Sequence, residues 1–375
     1  MISAPALHPS LALDRVSSSA ARARRRAFAA AHGQVVQSTF RPHPLLPGAH
    51  LQTLAAALRP VPVLPLRVER LDLDDGDFVD LGWSGEHNHN GPLAVLVHGL
   101  TGGFNSKYLR GTACQLIARG WRTVILQLRG AGPEPNRLHR CYNQGDTEDL
   151  RYLWHLLRSR EPATFIASAG WSLGGNVTLK ALAEEGGSAP INIAAVASVP
   201  FHIRPCAERL SGGLSRIYQK RLLEDVKEAL RRKHPHIPVS PKVDLAAAFA
   251  AQDFIEFDRA YTAPLAGYRS VDDYYQRSSC AQFLRHIRRQ TLVVHAEDDP
   301  FMTADIIPAA DALSPQVTLE LAACGGHVGF VSADARGRPY CWLEKRLADH
   351  FQDALERHLL GHRKPALTST RLSQA

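Results

Sequence analysis

Three stretches of the chain, LAVLVH at 93–98, INIAAVASV at 191–199 and TLVVHA at 291–296, are apolar almost without interruption. Strands of that composition cannot turn either face to water, so they belong in the middle of a sheet covered by helices on both sides, which is the setting of parallel strands. From about residue 67 onward, short β-branched or apolar runs alternate with longer helix-like stretches, the pattern of an α/β sheet. Strands are predicted near 66–72, 78–83, 93–98, 122–128, 164–170, 191–199, 291–296 and 317–322. Helices are predicted from Ser106 to Arg119, from near Asp146, whose carboxylate would cap the free N–H groups, and from Gly174. The expectation is an α/β fold with a mostly parallel eight-stranded sheet flanked by helices.

Between Pro200 and Arg289 the strand rhythm stops, and the chain reads as helices Leu210 to Arg232, Leu245 to Asp258 and Val271 to Ile287 with Pro-rich breaks. An insertion of this size between core strands predicts a helical lid over 203–289, placed after the sixth strand. The expected organisation is a disordered or loosely attached basic segment at 1–38, a core formed by 39–202 and 290–362, the lid, and a flexible tail at 363–375.

Apolar residues at 45% and charged residues at 21% are those of an ordinary globular protein. The net charge of +8 owes much to terminal runs such as Ala21-Arg22-Ala23-Arg24-Arg25-Arg26, which read as a solvated tail, with peripheral contact to anionic lipid as the lesser alternative. No nucleic-acid motif accompanies the charge, so no nucleic-acid partner is expected. The Arg-rich start also imitates an organelle transit peptide, again the lesser alternative, and neither a membrane span nor a secretory signal is read. Cys114, Cys141, Cys206, Cys280, Cys324 and Cys341 are scattered without a C-x-x-C pair, which argues against a zinc site or a disulfide framework and fits a reducing cytoplasm. His87 with His89 and His234 with His236 lack H-E-x-x-H or a third ligand and read as loop residues, and Gly102-Gly103 lacks the Lys-Ser/Thr ending of a phosphate loop. No metal and no cofactor is expected, and no sequence signature sets the oligomeric state.

Gly170-Trp171-Ser172-Leu173-Gly174 fits G-x-S-x-G, in which the serine occupies a strained turn and small neighbours let strand and helix approach. Roughly 0.1 chance occurrences are expected in a chain of this size with Gly near its usual frequency, so the context decides. An apolar run ends just before the motif and a helix opens just after it, the strand–turn–helix setting such a serine needs. A serine hydroxyl is a weak nucleophile and needs a base that a carboxylate holds in place. Downstream, TLVVHA leads into Glu297-Asp298-Asp299-Pro300, and VTLELA at 317–322 leads into Cys324-Gly325-Gly326-His327. His327 is the candidate base. Asp299 is preferred as the acid because Pro300 should open a helix and leave Asp299 at the strand end, Asp298 being the alternative and Glu297 the weakest choice. The oxyanion needs two backbone donors, worth about 2.7–4 kcal/mol each in other hydrolases. Leu173 N–H should be one and Leu100 N–H, in the turn His98-Gly99-Leu100-Thr101-Gly102-Gly103, the other.

With these residues placed, the chain resembles the YheT-like branch of the α/β-hydrolases, which also includes plant and animal esterases and phospholipases. The likeness runs from about Phe40 to His358 and rests on FRPHPLLPGAHLQTL (40–54), HGLTGG (98–103), RGAGPEPNRLHRCYNQGDTED (129–149), GWSLGGN (170–176), FDRAYTAPLAGYRSVDDYY (257–275), HAEDDPFM (295–302) and GGHVGF (325–330). It implies a Ser172, His327, Asp299 relay, in agreement with the residue-level reading. Two departures stand out: the Arg-rich first 36 residues lie outside the common core, and Thr101 occupies a position often acidic in relatives. The expected function is serine hydrolysis of carboxylic esters of short to medium acyl length, lipid esters included, through an acyl-enzyme. The alternatives are a catalytically silent acyl or lipid binder on the same fold, or a phospholipase or acyltransferase. The lid supplies Phe254, Phe257, Tyr261, Tyr268, Tyr274 and Tyr275, which could either pack internally or face an acyl chain.

Overall fold

The computed structural model describes residues 31–86 and 91–362. Its main sheet has nine strands: β1 (Gln34–Gln37), β2 (Arg67–Asp72), β3 (Phe78–Ser84), β4 (Leu93–Val97), β5 (Arg122–Gln127), β6 (Ile166–Trp171), β7 (Ile193–Ala197), β8 (Gln290–Ala296) and β9 (Val317–Ala322). Their order is β1-β9-β8-β7-β6-β4-β5-β3-β2. Only β3 runs antiparallel to its neighbours β2 and β5; every other pairing in this sheet is parallel.

The expected count of eight strands is corrected by β1. Gln34 to Gln37 pair with Thr318 to Leu321 of β9, so the boundary expected at residue 38 falls inside the folded core. The strand escaped a reading by hydrophobic pattern because all four residues of QVVQ are exposed at the sheet edge, where backbone hydrogen bonds rather than burial hold it. The helical insertion accordingly follows the seventh strand. Residues 1–30, the tail after 362, and the pair His87 and His89 lie outside the described residues.

Side chains alternate across the sheet. Leu93, Val95 and Val97 of β4 join one apolar cluster with Leu153 and Trp154 of the helix Glu148–Arg160 and Leu179 and Leu182 of the helix Leu173–Glu185. Ala94 and Leu96 join the opposite cluster with Leu109 and Leu116 of the helix Lys107–Ile117 and Leu347 and Phe351 of the helix Trp342–His362. The helix expected from Asp146 opens at Glu148 and has no side-chain cap. Asp146 is engaged elsewhere, accepting from Nη2 of Arg140 at 2.5 Å.

The segment between β7 and β8 forms a helical layer with its own apolar cluster, including Leu223, Leu230, Phe254, Tyr274 and Tyr275. The helices expected there are more broken than the pattern implied. The first begins at Ser215 rather than Leu210 and runs to Lys233, preceded by a separate helix Ile203–Leu210 that was not expected, and Leu245–Asp258 divides into Leu245–Ala250 and Phe254–Phe257. The residues taken as helix interior include an N-cap, since Asp253 accepts from Glu256 N–H at 2.8 Å. The third α-helix stops at Ser278, and a 3-10 stretch, Cys280–His286, leads into β8.

Lys233, at the end of the longest of these helices, is buried at 3% exposure. Its ammonium donates to Asn136 Oδ1 at 2.7 Å, Arg140 O at 2.9 Å and His139 O at 3.0 Å, fastening the helical layer to the loop after β5. The same loop is anchored below by Arg129, which is buried and pairs with Asp149 at 2.7 Å and Asp77 at 3.2 Å. Lys233→Met leaves the buried Asn136 Oδ1 without a donor, and the expected loss of stability is about 1–3 kcal/mol, read as a lower denaturant midpoint with an unchanged m-value.

Candidate active site

Ser172 joins the end of β6 to the start of the following helix with φ 53° and ψ −122°. Such a backbone costs about 1–3 kcal/mol for a side-chain-bearing residue and persists only where its surroundings enforce it. Two glycines allow that enforcement. A Cβ on Gly174 would lie 2.4 Å from the carbonyl oxygen of His98, and one on Gly170 would lie 2.3 Å from that of Gly174. Ser172 N–H donates to Ala197 O at 2.9 Å, which fixes the turn against the neighbouring strand β7.

The loop after β9 brings His327 over this turn. Its Nε2 is 3.0 Å from Ser172 Oγ, and its Nδ1 is 2.8 Å from Asp299 Oδ2. An ionised Asp299 accepts from Nδ1–H, which leaves Nε2 as the acceptor facing the serine hydroxyl. Asp299 is buried, and its other oxygen accepts from Phe301 N–H at 2.8 Å. Phe301 stacks on the imidazole with ring centres 3.9 Å apart and planes 8° from parallel.

Three successive amides hold the histidine loop, each to a side chain from a different part of the chain. Gly326 N–H donates to Asp298 Oδ1 at 2.9 Å, His327 N–H to Thr53 Oγ1 at 2.9 Å and Val328 N–H to Ser198 Oγ at 3.0 Å. Asp298 therefore braces the loop while Asp299 meets the ring, and Glu297 is exposed. Pro300 opens a turn rather than the expected helix: Met302 N–H donates to Asp299 O at 3.2 Å.

Among the described residues, the non-glycine positions with positive φ are Thr101, Ser172, Ser198, Val328 and Phe330. All five lie on segments following the C-terminal ends of β4, β6, β7 and β9, so backbone strain gathers around one point of the sheet rim.

In the turn after β4, Gly99 N–H donates to the Tyr108 hydroxyl oxygen and Thr101 N–H to that of Tyr142, both at 2.9 Å. Gly102 N–H donates to Gly99 O and Gly103 N–H to Ser106 Oγ. Leu100 N–H has no acceptor among the described residues. Leu173 N–H opens its helix and has no partner within it, because the first amides of a helix lack the carbonyl four residues back. A Cβ on Gly99 would lie 3.2 Å from Ser172 Cβ, which brings this turn against the serine.

Thr53, Tyr142, Ser198 and Phe301 received no role from sequence. Three of them lie inside the segments FRPHPLLPGAHLQTL, RGAGPEPNRLHRCYNQGDTED and HAEDDPFM, so the signal was present without the contact that explains it. A cavity of about 940 Å³ lies before Ser172, and its wall includes Phe254, Phe257, Tyr261, Tyr268, Tyr274 and Tyr275. All but Tyr268 are buried in the helical layer, so internal packing and lining the cavity are one arrangement. His234 meets the Tyr261 hydroxyl at 3.1 Å.

The comparisons with known proteins agree with this architecture. The family model described as the α/β hydrolase fold matches residues 92–334. The chain belongs to the α/β-hydrolase family. Within it, the chain is 39% identical over 291 residues to YheT of Escherichia coli (strain K12), which bears an esterase name, covering 77% of this chain and 85% of that protein. It is also 30% identical over 304 residues to phospholipase ABHD3 of Mus musculus, covering 79% and 73% of the two chains. It is thus a YheT-like α/β-hydrolase. Among solved structures, the Pyrococcus furiosus esterase Pf2001 shares the fold with a TM-score of 0.52 at 13% identity, over 88% of this chain and 97% of that one.

His98 is fully buried, with Nδ1 2.7 Å from Gly99 O and Nε2 accepting from Leu128 N–H at 3.0 Å. Burial lowers its pKa from 6.5 to about 4, so the unfolded chain takes up the proton first as pH falls. His98 therefore makes folding stability increase from pH 4 to 6.5 and level off above, by on the order of 3 kcal/mol. Urea midpoints measured across that window should shift in this sense, and a flat profile would contradict a neutral, locked His98.

Proposed function

We propose that this protein hydrolyses carboxylic esters through an acyl-enzyme on Ser172. The observation that carries the reading is the relay of 3.0 Å and 2.8 Å from Ser172 Oγ through His327 to Asp299. Ser172 Oγ attacks the ester carbonyl while His327 Nε2 takes its proton, and the carbonyl π electrons move onto oxygen. Leu100 and Leu173 N–H groups receive that oxyanion, where fixed donors act without reorganising as the charge forms. Collapse of the tetrahedral adduct breaks the bond to the alcohol, which leaves with the proton from His327. Water then attacks the acyl-enzyme with His327 again as base, and the acid departs as Ser172 Oγ recovers its proton. Asp299 stays ionised throughout and stabilises the imidazolium.

The aromatic wall of the cavity favours an acyl chain of short to medium length as substrate. The esterase and phospholipase names of its relatives support an ester substrate and extend the range to lipid esters. A cytoplasmic location belongs to the same proposal, resting on six cysteines that form no disulfide.

Turnover of p-nitrophenyl esters of graded acyl length tests the reading. Ser172→Ala should lower kcat by about 10⁶ as in a comparable triad, and a fluorophosphonate should label the wild type but not this variant. Undiminished turnover by Ser172→Ala would remove the serine from the chemistry. Asp299→Asn should lower kcat by about 10⁴ with the site geometry kept. Asp298→Asn, which still presents an oxygen to Gly326 N–H, should stay within about tenfold of wild type; the reverse ranking would make Asp298 the acid.

A further inference from the structure

The helix Ala49–Leu58 is inside out. Gln52 and Thr53 are its buried residues, while Leu51, Leu54 and Leu58 are exposed by 46%, 41% and 79%. The spacing i, i+3, i+7 puts these leucines on one helical face. The buried polar residues are satisfied: Gln52 exchanges hydrogen bonds with the backbone of Val331, and Thr53 accepts from His327 N–H. Polar function inside explains the inward face. Among the described residues none covers the outward one, and an exposed apolar patch carries more information than a scattered leucine.

Leu214 and Ile217, 63% and 67% exposed, stand at the start of the helix Ser215–Lys233. His50 and Tyr218 join the two helices, stacked with ring centres 5.7 Å apart and hydrogen-bonded at 3.0 Å. From Tyr218 the contacts run to Phe301 at 5.1 Å between ring centres, and Phe301 lies on His327. The apolar face therefore adjoins the site.

On the first helix the adjoining Arg59 is neutralised by an ion pair with Glu344, so the free charge comes from the second helix. On the second helix Arg216 and Lys220 are exposed beside Ile217 and form no ion pair among the described residues. Leucines flanked by unpaired cations match an acyl region under anionic headgroups. A second copy fits less well, because a two-fold contact sets the same patch against itself and brings like charges together.

We propose that the face formed by Leu51, Leu54, Leu58, Leu214 and Ile217, rimmed by Arg216 and Lys220, docks this protein on an anionic lipid surface. The docking deepens the ester-hydrolase reading by giving the site access to membrane-borne esters, but binding is measured without turnover, so either can fail alone. The full-length protein is pelleted with vesicles of mixed phosphatidylcholine and phosphatidylglycerol and with vesicles of phosphatidylcholine alone. The wild type should partition onto the mixed vesicles. Leu54→Asp with Leu58→Asp should lower that partition about tenfold or more, and Arg216→Glu with Lys220→Glu should abolish the preference for anionic lipid. Both double variants change exposed side chains only, so circular dichroism should match wild type and confirm folding. A Leu54→Trp probe should emit at shorter wavelength when mixed vesicles are added. Three results would overturn the proposal: wild type that stays in the supernatant, Leu54→Asp/Leu58→Asp that pellets as fully as wild type, or a dimer in sedimentation velocity that this variant dissociates without any vesicle binding.

Discussion

The site depends on a backbone conformation that Ser172 would not adopt alone. Positive φ at a residue with a side chain must be enforced from outside, and here strand β6, the helix behind it and the turn after β4 approach closely enough to do so. That approach requires hydrogen at Cα of Gly170 and Gly174, where a methyl group would meet backbone oxygens. Bulky residues elsewhere in the strand would hold the helix off; β6 and β7 instead read IASAGW and IAAVA. Small residues in the sheet, a close helix and a raised serine are consequences of one packing requirement.

Around that turn the remaining parts are positioned by contacts between distant segments. Asn176, four residues after the serine, donates to Gln144 O at 2.8 Å and Ser278 O at 2.9 Å and accepts from Cys280 N–H at 3.0 Å. It thereby joins the helix that Ser172 opens to the loop after β5 and to the end of the helical layer. The histidine loop is held from Thr53, Ser198 and Asp298 in the same manner. A buried amide left without an acceptor is unfavourable by about 1–3 kcal/mol, so each pairing favours one loop geometry, and together they keep the imidazole between serine and carboxylate.

The helix Ala49–Leu58 shows how such positioning affects the surface. Its inward positions are occupied by Gln52 and Thr53, which serve the backbone of the histidine loop and the strand after it. Its leucines are consequently left on the outside. A helix that uses its buried face for hydrogen bonding must find another use for its apolar one, and the cations nearby give that face a chemical character as well as a shape.

The alternation of apolar runs and helices, the G-x-S-x-G turn and the order of serine, aspartate and histidine along the chain were legible in the sequence, because each depends on neighbours within a few residues. So were Leu100 and Leu173 as the amides to examine, since their places follow from the turns they occupy. The strand Gln34–Gln37 was not legible, because edge pairing with Thr318 to Leu321 leaves no apolar pattern in QVVQ. Nor were the breaks at Asp253 and Ser279, the engagement of Asp146 by Arg140, or the division of work between Asp298 and Asp299. The preference for Asp299 rested on Pro300 opening a helix that does not form; it is the folded loop that turns Asp298 toward Gly326 N–H and Asp299 toward the His327 ring. Local sequence thus determined which elements form and where chemistry could sit, while contacts between distant positions, such as the 274 separating Thr53 from His327, decided which side chain faces which, because a direction in space is set by packing and not by spacing along the chain.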